Sequence, residues 1–199
     1  MNKLFPPLQD LNIPNAITSF SIVCGLLGIL RTLQGQLDAA CCLLIITVAL
    51  DKLDGLIARR LNQCSEMGTQ LDSFADTVNF CVFPAVLLWK IHPESIWTVP
   101  ISIFYVVSGI WRLAFFNLHG MQEDGTFIGV PTPFAASWLV IFFVLSDFFI
   151  PSQKGFILLM ITFVCSFLMV SSIPYKKDGK LTFMLYFLLP LCFLLLLLN

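Results

Sequence analysis

Residues 50–80 read LDKLDGLIARRLNQCSEMGTQLDSFADTVNF, and the rest of the chain is read outward from them. Four aspartates, an arginine pair and two glycines stand here in or beside segments that are otherwise apolar. Their spacing is Asp51-x2-Asp54-Gly55-x2-Ala58-Arg59-x8-Gly68-x3-Asp72-x3-Asp76. On a helix, Asp51, Asp54, Gly55 and Ala58 fall at i, i+3, i+4 and i+7 and share a face. Gly68, Asp72 and Asp76, at i, i+4 and i+8, share a face of the next helix. An antiparallel turn between the two helices would aim all four carboxylates at one small volume. Like charges that close need compensation. An all-oxygen set selects hard divalent cations such as Mg²⁺ or Mn²⁺ over zinc, which favours His and Cys.

The flanking sequence places this motif in a membrane. Of 199 residues, 58% are hydrophobic and 12% charged, whereas a soluble domain carries roughly 25% charged residues. Mean hydropathy is +0.89. Seven apolar segments succeed one another, at about 15–33, 38–58, 71–91, 96–118, 133–150, 155–173 and 181–198. Each is near the ~20 residues with which a helix crosses the hydrocarbon core. The polar run 59–70 links the second and third segments, and residues 1–12, with Pro6-Pro7, read as a short amphipathic piece on the membrane surface. The expectation is an all-α integral membrane protein with one domain over residues 1–199. A net charge of −1 provides no polybasic surface for nucleic acid. Six of the seven cysteines lie in apolar segments and none forms a C-x-x-C pair, so they read as small buried hydrophobes. Lys3, Arg59, Arg60, Lys176, Lys177 and Lys180 fall on the side of the N-terminus, and Arg31, Lys90 and Lys154 on the other. This asymmetry puts the acidic motif at the cytoplasmic face of the cell membrane.

Carboxylates in or near a membrane are functional by default. A structural ion-pair cluster with Lys52, Arg59 and Arg60 would leave four acids against one or two inward-facing bases. A transporter with a carboxylate-lined path would show inverted repeats and acids near the midplane. No such repeat is visible here, and the acids lie at one interface. Phosphoryl chemistry on a pyrophosphate uses the remaining residues. Two metal ions sharing the carboxylates can stabilise attacking and leaving oxygens. Gly55 lets a nucleotide approach the backbone, and Arg59 offers a planar fork suited to phosphate. Asp76, last in the series, can take the proton of an alcohol.

The acidic pattern resembles, position for position, the motif of the CDP-alcohol phosphatidyltransferases. That resemblance implies a six-helix transmembrane core open to the cytoplasm, with the seventh segment as an addition, and a homodimer. It implies Asp51, Asp54, Asp72 and Asp76 as ligands of Mg²⁺ or Mn²⁺, with Asp76 also the general base. Gly55, Arg59 and Ser65 resemble the positions that hold the cytidine diphosphate, extended by Asn15 and Thr18 of the first helix. Three later stretches resemble bacterial and archaeal phosphatidylserine synthases. Phe127 to Ala136, FIGVPTPFAA, is similar to their F-x-G-L-P-x-P-A-A, with Phe134 as an extra residue. Leu168 to Tyr175, LMVSSIPY, is similar to L-M-V-S-x-I-x-Y, and Trp111 to Asn117, WRLAFFN, to L-R-L-A-R-F-N. These imply CDP-diacylglycerol as donor and L-serine as acceptor, with the lipid tails in a groove between helices. Phe115 stands where the second arginine of L-R-L-A-R-F-N would grip the serine carboxylate, which leaves Arg112 or Arg60 for that role. The same chemistry on another small alcohol (glycerol phosphate, inositol phosphate or choline) stays open, as does a non-enzymatic transporter.

Overall fold

The structure, a computed structural model, describes residues 10–120, 126–176 and 179–198. Most of the stretch read as an amphipathic N-terminal piece, including Lys3, lies outside the described residues, as does Lys177. Seven helices carry the described chain: α1 (Ile13–Leu33), α2 (Leu37–Arg60), α3 (Glu66–Ile91), α4 (Thr98–His119), α5 (Thr132–Phe149), α6 (Lys154–Met169) and α7 (Lys180–Leu198). They correspond in order to the seven apolar segments. Among the described residues, five spans are long and apolar enough to cross a membrane: α1, α3, α4, α5 and the run Pro151–Met169 that contains α6. α2 has the length, at 24 residues, but its last turns carry Asp51, Lys52, Asp54, Arg59 and Arg60, which lowers its hydropathy. The protein is an all-α integral membrane protein.

The helix starts have local causes. Asn12 caps α1 by accepting from the Asn15 N–H at 2.9 Å, and Pro14 sits in the first turn, where its missing N–H leaves nothing unpaired. Ser65 caps α3, its Oγ accepting from the Gly68 N–H at 3.0 Å. That cap starts α3 at Glu66, so the link read over 59–70 contracts to residues 61–65. The polar run is mostly helix, because Arg, Glu, Met and Gln are good helix formers once an N-cap is present.

The core joins α2, α3, α5, α6 and α7, with Ile101 from α4. Leu44, Phe80, Phe83, Leu87, Leu139, Phe143 and Leu158 are fully buried or nearly so, and Leu185, Leu189 and Cys192 of α7 pack among them. α7 therefore belongs to the core, packing on α2 and α5. Asp147, an acid at the end of an apolar segment, is paired with Lys154 across the α5–α6 corner, with Nζ 2.6 Å from Oδ2. All the cysteines are free, and all but Cys64 are buried.

Two three-residue strands were not foreshadowed by any alternation, since a run that short displays no period. β1 (Thr126–Ile128) pairs antiparallel with β2 (Pro174–Lys176), Phe127 standing opposite Tyr175. Gly129 comes directly after β1 with φ +74°, and a Cβ there would collide with the Met169 carbonyl oxygen. Glycine is thus required by conformation and by space. The ribbon ties the α4–α5 link to the α6–α7 link, and with them the Phe127–Ala136 and Leu168–Tyr175 stretches.

Gly28 of α1 lies against the Phe83 ring, where an added Cβ would overlap ring carbons. Gly28→Ala is expected to overpack this contact and cost about 1–3 kcal/mol. The check is the unfolding midpoint of the detergent-solubilised protein, and an unchanged midpoint would show that the ring has room to move.

Candidate active site

Helices α2 and α3 meet at their polar ends and bring Asp51, Asp72 and Asp76 together. One carboxylate oxygen from each lies within 4.8 Å of the others. These are oxygen donors at the scale of a hard cation, since Mg²⁺ holds its ligands at about 2.0–2.1 Å and near-opposite ligands stand roughly twice that apart. The three residues present therefore fit a divalent ion. Asp54, the fourth aspartate of the pattern, is not in this group. It lies about 60° round the helix from Asp51, three residues being slightly less than a full turn, and faces α1. It is 5% exposed, and its Oδ2 accepts from Thr18 Oγ1 at 2.6 Å.

That bond sets one wall of a cavity of about 150 Å³ between α1, α2 and the start of α3. Asn15, Thr18, Asp54, Gly55, Arg59, Ser65, Gly68 and Asp72 all line it. Every residue read as a nucleotide contact thus converges on one space. A Cβ at Gly55 would have the Arg59 guanidinium nitrogens as its nearest neighbours, at 3.7 and 3.9 Å, so the backbone there is open to the cavity beneath a cationic fork. Gly68 has a different task. A Cβ there would lie 2.9 Å from Asn15 Oδ1 and 3.1 Å from Ser65 Oγ, so glycine lets α1 and α3 close. Asn15 Nδ2 donates to the Asp10 carbonyl at 2.8 Å.

Gln63 is a site residue that the sequence reading missed. It lines the same cavity, and its Oε1 is buried without a hydrogen-bond partner among the described residues. A glutamine in a polar link carries no signal of its own, because such residues are usually solvated.

A second cavity, of about 200 Å³, opens on the other side of the carboxylates. Asp51 and Asp76 form its acidic wall, Arg112 its cation, and Phe127, Pro131, Pro133, Phe134 and Tyr175 much of the remainder. Asp76 is 7% exposed, and its Oδ2 accepts from Thr132 Oγ1, at the start of α5, at 3.3 Å. Arg112 is equally buried. Its Nε has no hydrogen-bond partner among the described residues, and its guanidinium carbon lies 5.1 Å from the centroid of the Phe116 ring. The ribbon brings Tyr175 against Phe134, ring centroids 5.0 Å apart, and the Tyr175 hydroxyl meets Thr182 Oγ1. Phe115 is absent from this lining. It is 39% exposed and stacks on His119. Arg60 is exposed and lines neither cavity. Of the two arginines left open by the sequence, Arg112 is the one at the site.

Grouped carboxylates on paired membrane helices, with an arginine-bearing cavity on either side, suit a membrane-embedded enzyme acting on phosphate esters. Residues 11–170 match the CDP-alcohol phosphatidyltransferase family, and the chain belongs to it. It is similar to the CDP-diacylglycerol–serine O-phosphatidyltransferase of Bacillus subtilis, 39% identical over 174 residues, which covers 84% of this chain and 92% of that one. The enzyme of the same name from Helicobacter pylori is 34% identical over 188 residues, 91% of this chain and 79% of that one. The archaetidylserine synthase of Methanothermobacter thermautotrophicus is 33% identical over 172 residues, 84% of this chain and 71% of that one. The family depends in general on a divalent metal, and Asp51, Asp72 and Asp76 are the acidic cluster present here. The family match ends before α7, which lies beyond the matched core.

Thr18→Val removes the donor to a buried carboxylate. It is expected to weaken CDP binding to the purified protein several-fold, as measured by calorimetry, and to lower stability by about 1–3 kcal/mol. Ser19→Ala is the control, because among the described residues the Ser19 hydroxyl bonds only the Asn15 carbonyl of its own helix. Equal effects from both would mean that the Thr18–Asp54 bond has no special part in the cavity.

Proposed function

We propose that the protein transfers the phosphatidyl group of CDP-diacylglycerol to the hydroxyl of L-serine, giving phosphatidylserine and CMP. The carrying observation is the position of the carboxylate group between two cavities. One is lined by Gly55, Arg59, Ser65 and Gly68 and suits a cytidine diphosphate. The other presents Asp76 and Arg112 to a small acceptor. The names of the relatives support serine as that acceptor. So does the cavity, because Arg112 is the one cation among its described lining residues. A phosphorylated acceptor such as glycerol phosphate or inositol phosphate would call for a second.

In this reading Asp76 takes the serine hydroxyl proton as the oxygen bonds to the phosphorus that bears the diacylglycerol. The bond from that phosphorus to the bridging oxygen breaks, and CMP departs with the bond electrons. Arg112, whose Nε has no partner within the described residues, holds the serine carboxylate. Arg59 lies over Gly55 to receive the pyrophosphate. Gln63 is placed to accept from an amino group such as that of cytosine. Asp51, Asp72 and Asp76 would hold one Mg²⁺ or Mn²⁺ ion, and Asp54, which lines the nucleotide cavity together with Asp72, would contribute to a second; when bound, the ions would supply charge neutralisation at the pyrophosphate.

The lipid tails have a candidate place. An apolar groove of about 600 Å³ runs between α2 and α7, lined by Ile45, Ala49, Leu53, Leu56, Leu189 and Phe193. Val48 lines both this groove and the acceptor cavity, so the two adjoin. A substrate could then react without leaving the bilayer. In this reading the active site faces the cytoplasm from the cell membrane, in line with Arg59, Arg60 and Lys176 at the acidic end and Arg31, Lys90 and Lys154 at the other. The assembly is a homodimer, on the strength of the family resemblance.

The test is CMP release from CDP-diacylglycerol by the purified protein with Mg²⁺ or Mn²⁺ across a panel of alcohols. Serine-dependent release is expected, with phosphatidylserine as product. Release with glycerol phosphate or inositol phosphate alone would overturn the acceptor, and no release from folded, metal-binding protein would favour a transporter. Asp76→Asn is expected to lower turnover by about 10²–10⁴-fold with CDP binding largely kept. Arg112→Lys keeps the charge but loses the fork. It is expected to raise the KM for serine by about tenfold while that for CDP-diacylglycerol stays put.

A further inference from the structure

α3 changes its hydrogen-bond register directly after Asp76. Residues Thr77–Val82 form a π-helical turn, in which the Phe83 N–H bonds the Val78 carbonyl five residues back; an α-helix bonds four back. The sequence supplies a cause. The α-helical donor to the Phe80 carbonyl would be residue 84, which is proline and has no N–H. The bilayer interior offers no water to take its place. Tyr105 of α4 fills the gap, its hydroxyl donating to the Phe80 carbonyl at 3.0 Å from a fully buried side chain.

The turn lets one helix serve two directions. In an unbroken α-helix Asp76 and Phe83, seven residues apart, would share a face. Here Phe83 packs on Gly28 of α1, whereas Asp76 accepts from Thr132 of α5 and lines a cavity with Arg112 of α4. The apolar half of α3 thus stays in the core while the acidic half presents Asp76 beside Asp51. Neighbours grip the turn from both sides. Asn79 Nδ2 donates to Ser21 Oγ of α1 at 2.8 Å, in space that Gly25 leaves open. On the α4 side Gly109 leaves room for Cys81, where any Cβ would collide with its sulfur. Tyr105, Gly109 and Arg112 fall at i, i+4 and i+7 of α4, on one face. The face that holds the turn also carries the arginine of the acceptor cavity.

We propose that Tyr105 is a positioning residue for the metal site: by holding the Phe80 carbonyl it keeps the π-helical turn in the form that aims Asp76 at Asp51 and Asp72. The inference rests on reading those three aspartates as metal ligands. Tyr105→Phe keeps the ring and removes the hydroxyl. Mn²⁺ binding to the purified protein is read directly from the electron paramagnetic resonance of the free ion, beside kcat and the KM for CDP-diacylglycerol. The Mn²⁺ dissociation constant is expected to rise about tenfold or more, the scale seen when a group that orients metal ligands is lost. Turnover at a fixed, subsaturating Mn²⁺ concentration should fall with it.

A tyrosine with only a structural role would lower the unfolding temperature and leave Mn²⁺ binding as it was, which would overturn the proposal. Pro84→Ala decides the matter if Tyr105→Phe does not fold. It gives residue 84 an N–H that competes with Tyr105 for the Phe80 carbonyl and draws the turn towards α-helix, so the same loss of Mn²⁺ affinity is expected. Unaltered affinity there would also overturn the proposal. Absence of Mn²⁺ binding by the unsubstituted protein would instead sink the reading of the aspartates themselves.

Discussion

Carboxylates on neighbouring helices repel, and the repulsion grows as the surroundings exclude water, because Coulomb energy scales inversely with the local dielectric. Asp51, Asp72 and Asp76 nevertheless stand within reach of a single ion. Much of the surrounding structure serves to hold them there. α1 packs along α2, with Thr18 bonded to Asp54. Gly68 lets α1 close on the start of α3, Thr132 at the head of α5 donates to Asp76, and Arg112 of α4 brings a buried positive charge to the same cavity. The dry setting that makes the crowding costly also makes a divalent cation a strong partner.

In the proposed reading the same scaffold separates donor from acceptor, the cavity beside Gly55 taking the nucleotide and the one beside Arg112 the alcohol. The nucleotide cavity is built by helix ends near one another in the chain: α1, the end of α2 and the cap of α3. The acceptor cavity draws on distant parts, with the β1–β2 ribbon, the start of α5 and Arg112 of α4 meeting around Asp76. The diphosphate-binding half can therefore be recognised in a compact motif. The half proposed for the acceptor depends on several links folding back together.

Much of this is legible in the chain as a sequence. Periodicity and hydropathy locate the helices, and the i, i+3, i+4 pattern predicts that the aspartates converge. The Phe127–Ala136 and Leu168–Tyr175 stretches stand out by likeness alone. Their pairing, at Phe127 and Tyr175, comes only from the fold. Polar composition suggests a loop over 59–70, yet one capping serine turns half of that run into helix. Phe115 reads as the loss of an acceptor contact, but it points away from the cavity that Arg112 lines.

The sequence by itself determined the features that local regularity controls. A 3.6-residue period decides which side chains share a face, apolar length decides what can span a bilayer, and carboxylate spacing decides that a hard cation is wanted. Which of those carboxylates stand within 4.8 Å of one another was decided only by tertiary structure. Asp54 bonds Thr18, thirty-six positions away, and Asp76 stands just before a π-helical turn whose Phe80 carbonyl accepts from Tyr105 of another helix. Gln63 and Arg112 likewise acquire their places through neighbours remote in the chain. Hydrogen bonds between distant residues leave no period in the sequence, because they depend on how the helices rotate against one another once packed.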